Sequence, residues 1–226
     1  MSQRRPNRST ANIAEEDDDL ALDEAVKECV RYIFYREGNK TPFKRADIVK
    51  HLSTTCQTPS GDVNTVISRA NQILKKIYGY KLVQIASKSG NQFIVILNEE
   101  CESLHSSNSD SSHRRLLTAA LMHIYMTGGA VKEDEMWKFL AEAGLLEENN
   151  HTGRKILTNT FTKQLYLHYF KVGEGDLAKN MFEWGQRATE EVPKLFLLQK
   201  MAKAFDKQPD HWCEQYKEAT EEPMGE

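Results

Sequence analysis

Little in this sequence marks a membrane protein, a disulfide scaffold or an enzyme. Its 226 residues hold no run of about 18 apolar residues, so no membrane-spanning helix is expected. The opening stretch, MSQRRPNRSTANIAEEDDDL, has no apolar centre, which excludes reading it as a secretory signal. Cysteine is scarce: Cys29, Cys56, Cys101 and Cys213 lie far apart with no CxxC. Free thiols in a reducing compartment are expected rather than a disulfide framework. The seven histidines never fall beside cysteines at zinc-ligand spacing. GxSxG, Walker, GxGxxG and HExxH patterns are missing. The acidic trio Glu133–Asp134–Glu135 falls where a helix begins, and carboxylates there complement the helix dipole. The chain is therefore expected not to be an enzyme, and no cofactor, metal or small-molecule substrate is expected.

What is present is uneven charge and strong periodicity. Net charge is only −3, yet residues 25–98 carry 12 Lys/Arg against 4 Asp/Glu. A basic block between acidic flanks suits a polyanion, because released counterions drive such binding.

Residues 1–19 read as a disordered tail, basic and then acidic. From Leu22, the residues Ala25, Val26, Cys29, Val30, Ile33 and Phe34 fall at helical spacing. A second helix is predicted from Pro42 through PFKRADIVKHL, with Ala46, Val49 and Ile48 as its inward candidates. Asp62 is predicted to cap a third, whose stripe runs Val63, Val66, Ile67, Ala70, Ile73, Leu74 and Ile77 to a stop at Gly79. YKLVQIA and NQFIVILN then read as a β-hairpin. Three helices and a hairpin outline a winged-helix domain over 20–98. A serine-rich linker is expected over 99–113.

The order then repeats. Helical stripes at Leu116–Tyr125, Met136–Ala141 and Ile156–Leu165 precede two β-rich runs, YLHYFKV and MFEW. A last helix is predicted from Val192 to Phe205, with Pro193 in its first turn. The fold class is thus mostly α with small β-hairpins, as tandem winged-helix domains. The second domain spans 114–206, followed by a C-terminal segment over 207–226. Trp184 and Gly185, in FEWGQRATEE, read as a structural corner: a tryptophan anchoring the last helix beside a glycine turn.

Two surfaces remain. Cations include Lys44, Arg45, Lys50, Arg69, Lys75, Lys76, Lys81 and Lys88 in the first half. His151, Arg154, Lys155, Lys163 and Lys171 form a parallel set in the second. Without an interleaved Arg and Asn/Gln pattern, DNA contact is expected at the backbone, with little sequence preference. The other surface is apolar. Ile33 and Phe34, flanked by Tyr32 and Tyr35, make a helix end greasy nearly all round, to be buried or covered by a partner.

PFKRADIVKHL (42–52), YGYKLV (78–83), YLHY (166–169), FEWGQRA (182–188) and HWCEQY (211–216), in this order and spacing, resemble the MAGE homology domain across about residues 22–218. With so little outside that domain, the chain looks like the family's ancestral, single-domain type, which serves the SMC five–six complex. The resemblance implies tandem winged helices and a non-catalytic adaptor. It implies partners: a RING-type ubiquitin ligase subunit whose activity is enhanced, a kleisin subunit, and double-stranded DNA. It implies DNA repair and a nuclear, chromosome-associated location. The family's ligase-binding dileucine falls on Ile33 and Phe34. Its DNA-associated basic cluster falls near Arg154, Lys155, Lys163 and Lys171, while Lys75 and Lys76 are candidates from charge alone. The kleisin is expected on the second winged helix. Gln186 stands where the family's tryptophan–glycine motif carries proline, implying a looser turn. Two alternatives stay open: a free-standing winged-helix DNA-binding regulator, and a MAGE-type ligase adaptor acting outside chromosomes.

Overall fold

The computed structural model describes residues 8–85, 90–99, 111–147 and 149–221. Two compact units, Met1–Glu99 and Glu100–Glu226, divide the chain. Residues 100–110, most of the expected serine-rich linker, lie outside the described residues, as does Cys101.

The first unit opens with α1 (Arg8–Glu37), which takes in residues assigned to the tail from sequence. Its apolar stripe is the one read from spacing: Ala25, Val26, Cys29, Val30 and Ile33 are buried, and Leu22 packs at the edge. Burial pushes the Cys29 thiol up to about 12, helped by the neighbouring Glu28 carboxylate, so it stays protonated. Cys56 is half-buried and Cys213 exposed, both free.

Pro42 does not open the second helix. Phe43–Lys44 form a short strand, β1, because Phe43 belongs in the core opposite Phe93. α2 (Arg45–Thr55) starts after it, and Asp47 accepts the Lys44 backbone N–H at 3.0 Å. Ile48 and Leu52 are its buried residues. Val49 is half-buried at the edge of the core, as expected, and Ala46 is exposed, because the inward face is centred on Ile48 and Leu52. α3 (Val63–Ile73) buries Val63, Val66 and Ala70, but Asp62 makes no side-chain cap. A π-helical turn, Leu74–Tyr78, follows and ends at left-handed Gly79. Its i→i+5 bonding carries Ile77 off the predicted stripe into solvent. β2 (Tyr80–Ile85) and β3 (Gln92–Leu97) pair antiparallel from Tyr80↔Leu97 to Ile85↔Gln92, giving sheet order β1-β3-β2.

The second unit repeats this arrangement. α4 (Ser111–Met126) buries Leu116, Ala120, Leu121, Ile124 and Tyr125. β4 (Val131–Lys132) leads into α5 (Glu133–Glu142), which buries Met136 and Leu140. α6 (His151–Lys155) is capped by Asn150, whose side chain accepts the Gly153 N–H at 2.8 Å. A π-helical run, Ile156–Phe161, continues it and buries Leu157 and Phe161. β5 (Leu167–Val172) and β6 (Lys179–Trp184) pair from Leu167↔Trp184 to Val172↔Lys179, in sheet order β4-β6-β5. Phe182, fully buried, stands at the centre of this core.

The predicted final helix is found, and a short helix that was not predicted precedes it. α7 (Gln186–Glu191) starts directly after Gly185, and Val192 leaves helical geometry. Pro193 sits in front of α8 (Lys194–Ala204) as its N-cap, not within it. Proline disfavours helical geometry in the residue before it, which separates the two helices. Beyond lie a 3-10 turn, Pro209–His211, and α9 (Cys213–Glu221).

One histidine packs at the edge of the second core. The His123 ring stacks on Phe139 at 4.0 Å between centroids, and its buried Nε2 has no hydrogen-bond partner. Burial lowers its pKa below 6.5, against a smaller opposing pull from Glu135. Below 6.5 the unfolded chain takes up a proton that the folded chain refuses, so stability is intact above that value and falls as pH drops through it. Urea midpoints should therefore fall between about pH 7.5 and about pH 5.5, and by visibly less in His123→Leu. Equal falls in the two proteins would remove the histidine from the account.

Candidate interaction surfaces

The Trp-Gly-Gln-Arg corner is built by close approach. Gly185 has an ordinary extended φ, yet a Cβ there would meet the Leu165 carbonyl oxygen at 2.2 Å. The two strands of chain are tied by Gly185 N–H to the Tyr166 carbonyl and Arg187 N–H to the Leu165 carbonyl, each at 2.9 Å. Trp184 donates its indole N–H to the Leu121 carbonyl at 2.9 Å, so it is anchored to α4. Its contact with α8 is the Lys194 ammonium, 5.5 Å from the ring centre. Sequence reasoning missed the residue at the heart of this corner. Arg187 is only 1% exposed. Its Nε–H donates to the Gln164 carbonyl at 2.8 Å, and Nη1 lies 3.4 Å from the Glu191 carboxylate. The Tyr166 hydroxyl donates to the same carboxylate at 3.0 Å, and the guanidinium lies over the Tyr166 ring. The available signal was a Glu four residues after an Arg, beside a glycine.

The apolar end of α1 is split by geometry. Adjacent helical positions diverge by about 100°. Ile33 therefore faces the core at 0% exposure, while Phe34 is 43% exposed. Ile33 has no surface of its own to offer a partner. Phe34 instead gathers neighbours: its ring lies 5.0 Å from Tyr78 and 5.6 Å from Tyr80. Tyr35 (80%) and Ile77 (70%) add further exposed apolar area in this unit. Tyr32 turns away, half-buried against Phe43 and His51. Lys75 and Lys76 are both exposed on the π-helical turn that ends in Ile77 and Tyr78, so cation and apolar surface alternate there.

In the second unit Lys155 and Lys163 are exposed along the helical run that begins with α6. Arg154 is half-buried, its guanidinium 5.2 Å over the Trp137 ring. Trp137 in turn meets Phe182 edge-on, which connects this cation to the core. Lys171 is exposed on β5, opposite Asn180. Two of the acidic trio are engaged locally. Glu133 accepts Asn180 at 2.7 Å, and Glu135 pairs with Lys132 at 2.6 Å, which lowers its pKa. Burial first, then a bond to Glu133, pushes the Tyr169 hydroxyl up to about 12. Among the described residues, no group of three His, Cys, Asp or Glu is placed to hold a metal ion.

A family profile described as the MAGE homology domain matches residues 29–195. The human "Non-structural maintenance of chromosomes element 3 homolog" is 31% identical over 204 residues, which are 88% of this chain and 66% of that protein. The mouse protein of the same description is 30% identical over 208 residues, 88% of this chain and 72% of its own length. The chain thus spans about two thirds of the human relative's length. A chain of the solved "Nse1-Nse3-Nse4 complex" superposes with a TM-score of 0.76 at 31% identity, covering 88% of this chain and 98% of that one.

The buried corner carries its own test. Arg187→Ala leaves the Glu191 carboxylate desolvated without its guanidinium partner, held by the Tyr166 hydroxyl but with its charge uncompensated, and should cost about 3–5 kcal/mol in urea unfolding. Removing both partners, in Arg187→Ala with Glu191→Ala, should cost clearly less than the two single losses combined. Strict additivity would mean that the two side chains do not depend on each other.

Proposed function

The chain belongs to the MAGE homology domain family, and from that premise we propose that it is a non-catalytic adaptor subunit of an SMC five–six-type complex. The observation that carries the reading is likeness along 88% of the chain, at 31% identity, to one chain of a solved complex named for three subunits together. In this reading each unit is a winged helix: three helices, a short strand and a hairpin around one core. The adaptor joins a RING-type ubiquitin ligase subunit, enhancing its activity, to a kleisin subunit and to double-stranded DNA. It acts in the nucleus, on chromosomes, in DNA repair and recombination.

The ligase contact lies on the first unit. Phe34, Tyr35, Ile77 and Tyr78 supply the exposed apolar area. Ile33 acts from beneath, holding α1 in the core. Covering such a patch removes apolar surface from water, and aromatic anchors typically dominate the resulting affinity. The kleisin docks on the second unit. Lys155, Lys163 and Lys171, with Arg154 braced on Trp137, meet phosphates of duplex DNA; Lys75 and Lys76 add a smaller cationic surface on the first unit. Lysines without base-reading partners, here on a helical run and on β5, give affinity that salt controls and sequence does not.

Two measurements check these assignments. Copurification with a RING subunit should weaken by about tenfold or more in Phe34→Asp combined with Ile77→Asp, at unchanged thermal stability. Ile33→Ala should instead lower stability, by about 2–5 kcal/mol. Full binding by the folded double variant would place the ligase elsewhere. For DNA, reversing Lys155, Lys163 and Lys171 to glutamate should weaken binding to all duplexes alike. The slope of log affinity against log salt should shrink by about 0.9 for each phosphate that is no longer neutralised. Loss restricted to one preferred duplex would favour a sequence-specific regulator over an adaptor.

A further inference from the structure

The C-terminal helix covers a cleft in the second unit in a manner that suits removal. The cleft, about 230 Å³, is floored by Ile124, Tyr125 and Trp184 and bordered by Gly129, Lys194 and Glu218. Gly128 and Gly129 leave one rim bare, with nothing within 4 Å of where a Cβ would stand. α9 closes the opposite side without burying any residue. Gln215 and Ala219, four residues apart on one helical face, and Trp212 just before the helix are only half-buried.

Apart from one ring contact just before the helix, its attachments among the described residues are polar. The Tyr125 hydroxyl donates to the Gln215 backbone carbonyl at 2.5 Å, and the Gln215 side-chain amide donates to the Met126 carbonyl at 3.2 Å. The Lys194 ammonium pairs with the Glu218 carboxylate at 2.9 Å. Phe205 meets Trp212 edge-on at 6.3 Å between ring centres. A nine-residue helix has little stability of its own, so α9 depends on its bonds to the body. Segments with few buried apolar contacts are the ones that open locally while the rest of a domain stays folded.

The chemistry of the covered site can be read from what occupies it. Lys194 is largely buried, 14% exposed, and its ammonium also lies over the Trp184 ring. The carboxylate on it is more exposed, at 47%, and comes from the strap. Glu183, on the other side of the cleft, is already engaged by His168 Nδ1 at 2.6 Å. Lys194 is therefore the cation that a ligand acid would seek, and the floor beside it is aromatic and aliphatic. The geometry points to α9 as a displaceable strap over an acid-recognising cleft, in which Glu218 stands in for a carboxylate of a partner segment. That segment presents an acidic side chain next to an apolar one: the acid replaces Glu218 on Lys194, and the apolar group rests against Trp184 and Ile124. Neither the ligase contact nor the DNA contact proposed above is required for this device.

Amide hydrogen exchange on the full chain tests the strap directly. The α9 amides should exchange at least about tenfold faster than those of α8 around Leu197 and Leu198. Glu218→Gln should speed α9 further and leave α8 unchanged. Equal protection of α9 and α8 would overturn the proposal, because it would mean that the two open only together. A labelled peptide of residues 209–221 tests the cleft. It should bind the Glu218→Gln chain more tightly than the wild-type chain, whose own strap competes. The same peptide carrying Glu218→Lys should lose that binding, as should the original peptide offered to a Lys194→Glu chain with α8 protection intact. A peptide that binds no form of the chain, or binds equally with either residue at 218, would overturn the carboxylate reading.

Discussion

A buried charge sets the shape of the second unit. Arg187 reaches its position only because Gly185 lets the chain pass against the Leu165 carbonyl. Once there, the guanidinium cannot be left alone: an unpaired charge at that depth would cost several kcal/mol. Gln164, Glu191 and the Tyr166 ring answer it from the end of the third helical run, from α7 and from the start of the hairpin. Three elements are thus fixed to one another by a single side chain. The position of Pro193, and so the start of α8, follows from that joint. α8 in turn presents Lys194 to Trp184 and to the C-terminal strap.

The apolar end of α1 shows how one helix serves two surfaces. A residue pair that looks uniform in sequence is divided by the helical turn between core and solvent. Ile33 gives α1 its hold on α3 and the sheet, and Phe34 spends its ring on an outer cluster with Tyr78 and Tyr80. A partner that covers this cluster therefore meets a surface whose base is already rigid, and little side-chain freedom is lost when it binds.

Most helical and strand segments were legible because their apolar residues recur at the period of the element they form. The stripes of α1 and α4 are of this kind. What periodicity could not show is where an element yields to tertiary demand. Phe43 was needed opposite Phe93, so the chain stays extended where Pro42 looked like a helix start. Ile77 left its stripe because a π-helical turn changes the angular step, which an ideal helical pattern does not anticipate. The candidate surfaces were legible as residue types but not as sites. Exposure separates Phe34 from Ile33, and only packing reveals that Arg154 leans on Trp137. Arg187 was invisible because arginine ordinarily belongs to the surface, and nothing in its immediate neighbours announces a buried acceptor set.

Both units carry a π-helical stretch at the same place in their pattern, Leu74–Tyr78 in one and Ile156–Phe161 in the other, just before the hairpin. Such a stretch is an α-turn with one extra residue lodged in it. Everything downstream is consequently rotated by about one helical step relative to an uninterrupted helix. The direction in which each ribbon leaves its bundle is thus held by one residue's worth of extra turn, so removing a single residue there would re-aim the ribbon while every residue of the ribbon itself stayed the same.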